Sequence, residues 1–236
     1  MLIGFHVEGH DYLIFRALIA RLGNYPEDQI EVDWIDKPGR GWHFVLDQLP
    51  KALHRFYYKS ARAVVIGMDN DGNLDLMTDR ENRREDPSHP RHWLHSQNIL
   101  QEQCRWCELH ARIEMERPKL NWLPTLSGQD WPIIIAVPTE MIESWLLIAQ
   151  AILNHGKGSF HAENESRHAQ KMLFYSKPEA SLDDVKNKAL PLIRSLSCPQ
   201  LLSIGNYSKS FKLFSDRVEE VRLNLFGNNS HVSFEE

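Results

Sequence analysis

The strongest chemical signal in the sequence is a pair of aspartates that follows an apolar run. Asp69 and Asp71 come directly after residues 63–68, whose side chains are typical of a strand covered on both faces. Their two-residue spacing directs both carboxylates to the same side, and Gly72 allows a sharp turn after them. Neighbouring carboxylates repel each other unless a cation neutralises them, so the pattern predicts a site for a hard divalent metal such as Mg²⁺. A solvated turn is the alternative.

A second candidate lies at the end of the first apolar run. Glu8 follows Leu2–Val7, and Gly9 frees the chain to turn into the next helix. Open α/β sheets place their sites at the carboxyl ends of their strands, which is where Glu8 is expected. Asp11 is a candidate for a third ligand or for the N-cap of the helix, a position that aspartate favours. A surface turn is the alternative for Glu8.

The third candidate pair opens a helix that follows another apolar run, residues 133–137. Glu140 and Glu143 fall one helical turn apart near the start of this helix. The helix dipole favours acids at that end, which is an alternative to a functional role for Glu140. Glu143 borders the apolar stripe of the helix, so we expect its carboxylate to face the carboxyl edge of the sheet.

Taken together, these elements resemble the Toprim domain. The resemblance rests on the strand ending in Glu8-Gly9 and on the apolar strand ending in Asp69-x-Asp71. The downstream Glu-x-x-Glu-Ser-Trp-Leu-Leu makes residues 1–155 similar to small prokaryotic Toprim proteins related to RloB and the OLD-family nucleases. Several of those proteins belong to anti-phage defence systems.

The resemblance implies a metal-dependent nuclease acting on DNA or RNA, with Mg²⁺ or Mn²⁺ as cofactor. Glu8, Asp69 and Asp71 would be the catalytic, metal-binding acids, Glu143 would serve a second metal, and Asp11 is an additional ligand candidate. Tyr12 occupies the position at which Toprim chains usually carry another acid. OLD-type nucleases also use a late lysine, for which Lys209 and Lys212 are the candidates as phosphate contacts.

Two other functions stay open at this point. An apolar strand followed by Asp-x-Asp-Gly also matches a haloacid-dehalogenase-type phosphatase, in which Asp69 would be the nucleophile and Asp71 the acid/base. Against it, the motif follows an earlier strand–helix–strand unit, and Asn73 stands in place of the usual threonine. The third reading is a non-catalytic Toprim-like subunit that acts beside a partner such as an ATPase.

A further possible metal site is formed by cysteine and histidine. Cys104 and Cys107 share a helical face, and His110 lies one turn further on, a set that zinc accepts. Only one cysteine pair is present there, and the surrounding residues suit a packed helix, which is the favoured interpretation. Both interpretations remain open.

Composition excludes several classes of protein. The chain has 236 residues, 42% of them apolar, with a net charge of -5, which is ordinary for a globular protein and argues against a general nucleic-acid coat. No apolar run approaches the roughly 18 residues of a membrane span, and the first ten residues do not resemble a signal peptide. Three cysteines do not make a disulfide framework, so we expect a cytoplasmic protein without a membrane partner.

The elements that must position these acids follow from periodicity. Strands are predicted at Leu2–Val7 and at residues 30–35, 63–68 and 133–137, with helices between them. Residues 43–59 look helical, although Pro50 should interrupt or split that helix. We expect an α/β fold: a Toprim-like parallel sheet of at least four strands over residues 1–155, with a polar, partly helical insertion at about 74–131. Residues 155–184 are predicted to be a loop, and residues 182–226 are predicted to form two helices. We expect a C-terminal appendage over residues 156–236.

Overall fold

A four-stranded sheet, parallel throughout, organises the molecule. The computed structural model describes residues 1–34, 42–69, 105–120, 131–138, 141–159 and 167–226. The strands are β1 (Leu2–Val7), β2 (Glu31–Trp34), β3 (Ala63–Gly67) and β4 (Ile133–Ala136), in the order β2-β1-β3-β4. Val7 lies opposite Gly67, and Gly67 opposite Ala136, so three strands end at the same level. The predicted α/β fold with a parallel sheet is confirmed.

Helices account for most of the remaining described residues. In chain order they are α1 (Asp11–Leu22), α2 (Trp42–Tyr58), α3 (Arg105–Glu116), α4 (Ile142–His155), α5 (Arg167–Tyr175), α6 (Leu182–Asp184), α7 (Leu190–Ser195), α8 (Cys198–Ser203) and α9 (Lys209–Phe226). A π-helical stretch, Val185–Ala189, joins α6 to α7. Short 3-10 turns lie at Glu27–Gln29, Arg117–Leu120 and Ile204–Asn206. Within the described ranges, no helix is long and apolar enough to cross a membrane.

The predicted break at Pro50 does not occur, because α2 runs continuously through it. Six apolar residues at helical spacing are buried along one side of α2: Val45, Leu46, Leu49, Ala52, Leu53 and Phe56. A proline inside a helix costs about 3 kcal/mol. Burying each large apolar side chain contributes about 1.5–3 kcal/mol. The buried stripe therefore outweighs the hydrogen bond that the proline removes.

The helices cover the two faces of the sheet unequally. α2 and α3 pack with residues such as Val64 and Ile66 on one face. α1, α4 and the helices after residue 167 share a larger core with Ile3 and Phe5 on the other. The indole Nε1 of Trp145 in α4 donates to Ser210 Oγ of α9 at 2.9 Å. The C-terminal helices thus form a layer against the sheet.

Two of the predicted C-terminal elements differ from the structure. The region after Leu182 is helical, as predicted, but it contains α6 to α9 instead of two helices. The expected loop at 155–184 contains α5, whose Gln170 and Phe174 are fully buried. The buried side of α5 therefore includes a polar residue, which hides the helix from a search for apolar periodicity.

β1 is held closely against α2 at two points. A Cβ on Gly4 would lie 2.6 Å from Phe56 Cδ2, so only glycine fits this position. Two residues further, the buried His6 donates from Nε2 to the Val45 carbonyl oxygen at 2.7 Å. Burial lowers the pKa of His6 from 6.5 to about 4, so the imidazole is neutral at physiological pH. These contacts fix the strand whose end carries Glu8.

Candidate functional site

Glu8 and Asp69 meet at the carboxyl edge of the sheet. They follow the neighbouring strands β1 and β3, which end in register. The backbone N–H of Asp69 donates to Glu8 Oε1 at 3.1 Å, and Asp69 is buried. Carboxylates at one Mg²⁺ site must lie within a few ångströms of each other, because the metal bonds its ligands at about 2.1 Å. The hydrogen bond from the Asp69 backbone to the Glu8 side chain brings these two residues together at the edge.

Asp11 joins the same edge from the start of α1. Gly9 adopts a left-handed φ of 53°, which turns the chain from β1 into the helix. The predicted N-cap role of Asp11 is wrong: His10 is the N-cap, and Asp11 is the first helical residue. Burial, then the charges of Glu143 and Glu8, raise the pKa of Asp11 well above its ordinary value. A carboxyl whose pKa is raised by two other acids lies in a cluster of negative charge.

Glu143 completes the described part of this acidic cluster, which we define as Glu8, Asp11, Asp69 and Glu143. It is the second residue of α4, and only 3% of it is exposed. The helix begins after an extended N-cap at Met141, whose carbonyl accepts from Ser144 Oγ at 2.8 Å. The positive end of the α4 dipole partly offsets the charge of Glu143. The charge of Glu143 acts on Asp11, the first residue of α1.

α5 brings two side chains that sequence reasoning missed. The charge of Lys171 lowers the pKa of Asp11 and so opposes the effect of the acids. The pKa of Tyr175 is raised by burial and then by Glu143 and Asp11, which places the phenol beside the same carboxylates. The only sequence signal for α5 was the pair Gln170 and Phe174 at i,i+4, and the polarity of its neighbours obscured it.

The two lysines predicted as phosphate contacts are placed on α9. Lys212 is exposed and forms a surface ion pair with Asp216, at 2.7 Å. Lys209 is the first residue of that helix. Among the described lysines, Lys171 is the one whose charge acts on Asp11. It is therefore the better candidate for a cation at the acidic cluster.

Several predicted residues lie outside the described part of the chain. Asp71, Glu140 and Cys104 fall there, and the side chain of Cys107 is likewise not described. The carboxylate pair of Asp69 and Asp71 and the zinc alternative therefore stay predictions from the sequence.

The acidic cluster has the donor chemistry of a site for a hard divalent cation. All its side chains offer carboxylate oxygens, the ligands that Mg²⁺ and Mn²⁺ prefer. Burial, together with the charges of Glu143 and Glu8, raises the pKa of Asp11, and a bound cation would favour its ionised form. Within the described ranges, no three or more His, Cys, Asp or Glu side chains are already grouped as a metal site. The described residues therefore fit such an ion in chemistry, without forming a complete ligand set.

A cavity of about 360 Å³ lies elsewhere, between α3, β4 and α9. Its lining includes Trp106, Ile135 and Leu213, and none of the four acids of the cluster. The acidic cluster instead occupies the ends of strands and the first turns of helices.

Comparison of the chain with known protein families, with curated proteins and with solved structures finds no match. The assignment of function therefore depends on the chain's own residues and on where the fold places them.

Proposed function

We propose that this protein is a metal-dependent nuclease with a Toprim-like active site at the carboxyl edge of its sheet. The observation that carries the proposal is the convergence of Glu8, Asp11, Asp69 and Glu143 from three separate segments. Segments far apart in sequence rarely bury acids together without a ligand, because the repulsion destabilises the fold. The parallel sheet is the type of scaffold on which Toprim sites are built.

The proposed roles follow from position and charge. The ligands of Mg²⁺ or Mn²⁺ would be Glu8, Asp69, Glu143 and Asp11, together with Asp71 from the sequence motif. Such an ion supplies activation of water and stabilisation of the leaving oxygen in phosphodiester hydrolysis. The backbone N–H of Asp69 holds the Glu8 carboxylate in a fixed orientation.

Lys171 has a separate role in this proposal. Its charge already acts at the acidic cluster, as its effect on Asp11 indicates. An ammonium group at this place can contact a phosphate oxygen of the substrate while it offsets part of the negative charge of the acids. The substrate would be DNA or RNA, in a cytoplasmic anti-phage system that includes a partner such as an ATPase.

Cleavage assays with matched variants test the proposal. Plasmid DNA, single-stranded DNA and RNA are incubated with Mg²⁺, Mn²⁺ or EDTA, beside para-nitrophenyl phosphate. Asp69→Asn and Glu8→Gln should each lower nuclease activity by about 10² or more, because each removes a charge that holds the cation. Glu31→Gln is the control, since Glu31 is an exposed glutamate at the opposite, amino edge of the same sheet.

The outcomes separate the three candidate functions. Phosphatase turnover that survives Glu8→Gln but not Asp69→Asn would refute the nuclease and favour the phosphatase. A thermal shift with Mg²⁺ that disappears in Asp69→Asn, together with inactivity on every substrate, would favour the non-catalytic subunit. A metal-dependent nuclease loses both the thermal shift and the cleavage in the same variants.

A further inference from the structure

Arg105 is a buried arginine on the other side of the carboxyl edge. It is the first residue of α3, and only 4% of it is exposed. Its guanidinium carbon lies 3.3 Å from the centre of the Trp42 ring, in a cation–π contact. Trp42 is itself the first residue of α2. A guanidinium is rarely buried unless several of its N–H groups are bonded.

The hydrogen bonds of Arg105 are incomplete. Nη1 donates to Glu108 Oε2 at 3.0 Å, but Glu108 also lies 3.8 Å from Arg112, so its charge is shared. The Nε of Arg105 is buried, and no residue in the described part of the chain accepts a hydrogen bond from it. Leaving a buried donor without an acceptor is unfavourable. An anion that reached Nε–H would supply the acceptor that the described residues do not provide.

The position of Arg105 follows from the topology. α2 follows the carboxyl end of β2, and the parallel crossover to β3 makes the helix begin at that edge. The bond from His6 to Val45 fixes the first turn of α2 beside the last residues of β1. α3 begins beside Trp42, and its Glu116 lies 3.8 Å from His54 of α2. Both helices therefore run away from the carboxyl edge.

We propose that Arg105, stacked on Trp42 at the start of α2, binds a phosphate group at the carboxyl edge of the sheet. Two features attract an anion there: the guanidinium with its buried Nε–H, and the positive end of the 17-residue helix α2. The acidic cluster lies at the starts of α1 and α4, whereas this phosphate site lies at the starts of α2 and α3. The assignment of this phosphate to a nucleic-acid backbone rests on the proposed function, whereas the binding of phosphate does not.

Nuclear magnetic resonance of arginine Nε–H groups tests the proposal without any turnover. Inorganic phosphate is added to the ¹⁵N-labelled full chain in EDTA, and the Arg105 signal is assigned through its contacts with the Trp42 ring. We expect this signal to move saturably to a lower field, as an N–H does when it donates to a phosphate oxygen. In Arg105→Lys the signal should disappear and phosphate affinity should fall about tenfold, since lysine lacks the planar fork. Arg112→Lys, on the same helix and beside the same Glu108, is the control.

The possible results either support the site or overturn it. An Arg105 signal that stays still while other arginine signals move, or an equal loss of affinity in both variants, overturns the proposal. If Arg105→Lys does not fold, the titration of the wild type still shows whether phosphate binds at Arg105. Trp42→Phe then replaces Arg105→Lys as the variant with weakened binding. Phosphate binding at Arg105 without cleavage of any nucleic acid would refute the proposed function and leave this site standing. Cleavage of nucleic acid, together with an Arg105 signal that phosphate does not move, would refute this phosphate site and leave the proposed function standing.

Discussion

The neutral, buried His6 should make the stability of this protein depend on pH in a specific window. Its pKa is lowered from 6.5 to about 4 by burial, so the folded protein resists a proton that the unfolded chain accepts. Stability from this source is therefore fully present above pH 6.5 and is lost as the pH falls towards 4. At about 1.4 kcal/mol per pKa unit, the total loss is about 3 kcal/mol, of which about 2 kcal/mol has occurred by about pH 5.

Urea unfolding followed by tryptophan fluorescence measures this effect when wild type and His6→Leu are compared across pH. Leucine removes the bond to Val45, worth about 1 kcal/mol, and also removes the titration. The difference between the two proteins should shift by about 2 kcal/mol in favour of the variant from about pH 8 to about pH 5. His155→Gln, at the exposed end of α4, should follow the wild-type curve. A constant difference between wild type and His6→Leu, or a His6 resonance that titrates near its ordinary pKa, would contradict the reasoning.

Substitutions at three further positions test the packing and the site. Gly4→Ala should destabilise the fold by about 1–3 kcal/mol, measured by urea unfolding, because its Cβ would overlap the Phe56 ring; an unchanged midpoint would contradict this close approach. Ser210→Ala removes the acceptor of the Trp145 indole and should cost about 1–3 kcal/mol in one cooperative transition. Two separate transitions would show that the C-terminal helices unfold independently. Lys171→Met should lower nuclease activity by about tenfold or more with little loss of stability, and Lys171→Arg should restore part of it; full activity in the methionine variant would remove Lys171 from the site.

The sheet and the meeting of Glu8 with Asp69 were predictable from the sequence for a simple reason. Strands β1 and β3 are short apolar runs, and the carboxyl ends of neighbouring parallel strands lie at the same edge. An acid that directly follows each run must therefore lie near the other one. Glu143 was predictable because it borders the apolar stripe that buries Trp145.

The predictions that were wrong have a common physical cause: tertiary contacts outweighed the local sequence preferences on which they were based. Pro50 is a helix breaker in isolation, yet the buried side of α2 carries the helix through it. Asp11 is a good N-cap by type, but the turn at Gly9 makes His10 the cap and places Asp11 against Glu143. α5 buries Gln170 and leaves Leu173 58% exposed, which reverses the pattern that periodicity detects. Lys171 was missed along with its helix.

The charges around the carboxyl edge predict how a metal ion would change the binding of phosphate at the proposed site. The negative charges of Glu8 and Glu143 act on Asp11 in the same direction as its burial, and the charge of Lys171 opposes them. A divalent cation would reverse the local sign and make the approach of a phosphate favourable. On the α2 side, Arg105 is already cationic and has an N–H to donate. A metal ion should therefore strengthen phosphate binding in the wild type. In Glu8→Gln the metal ion should increase the affinity for phosphate by less. The affinity for phosphate without metal, which Arg105 provides, should stay the same.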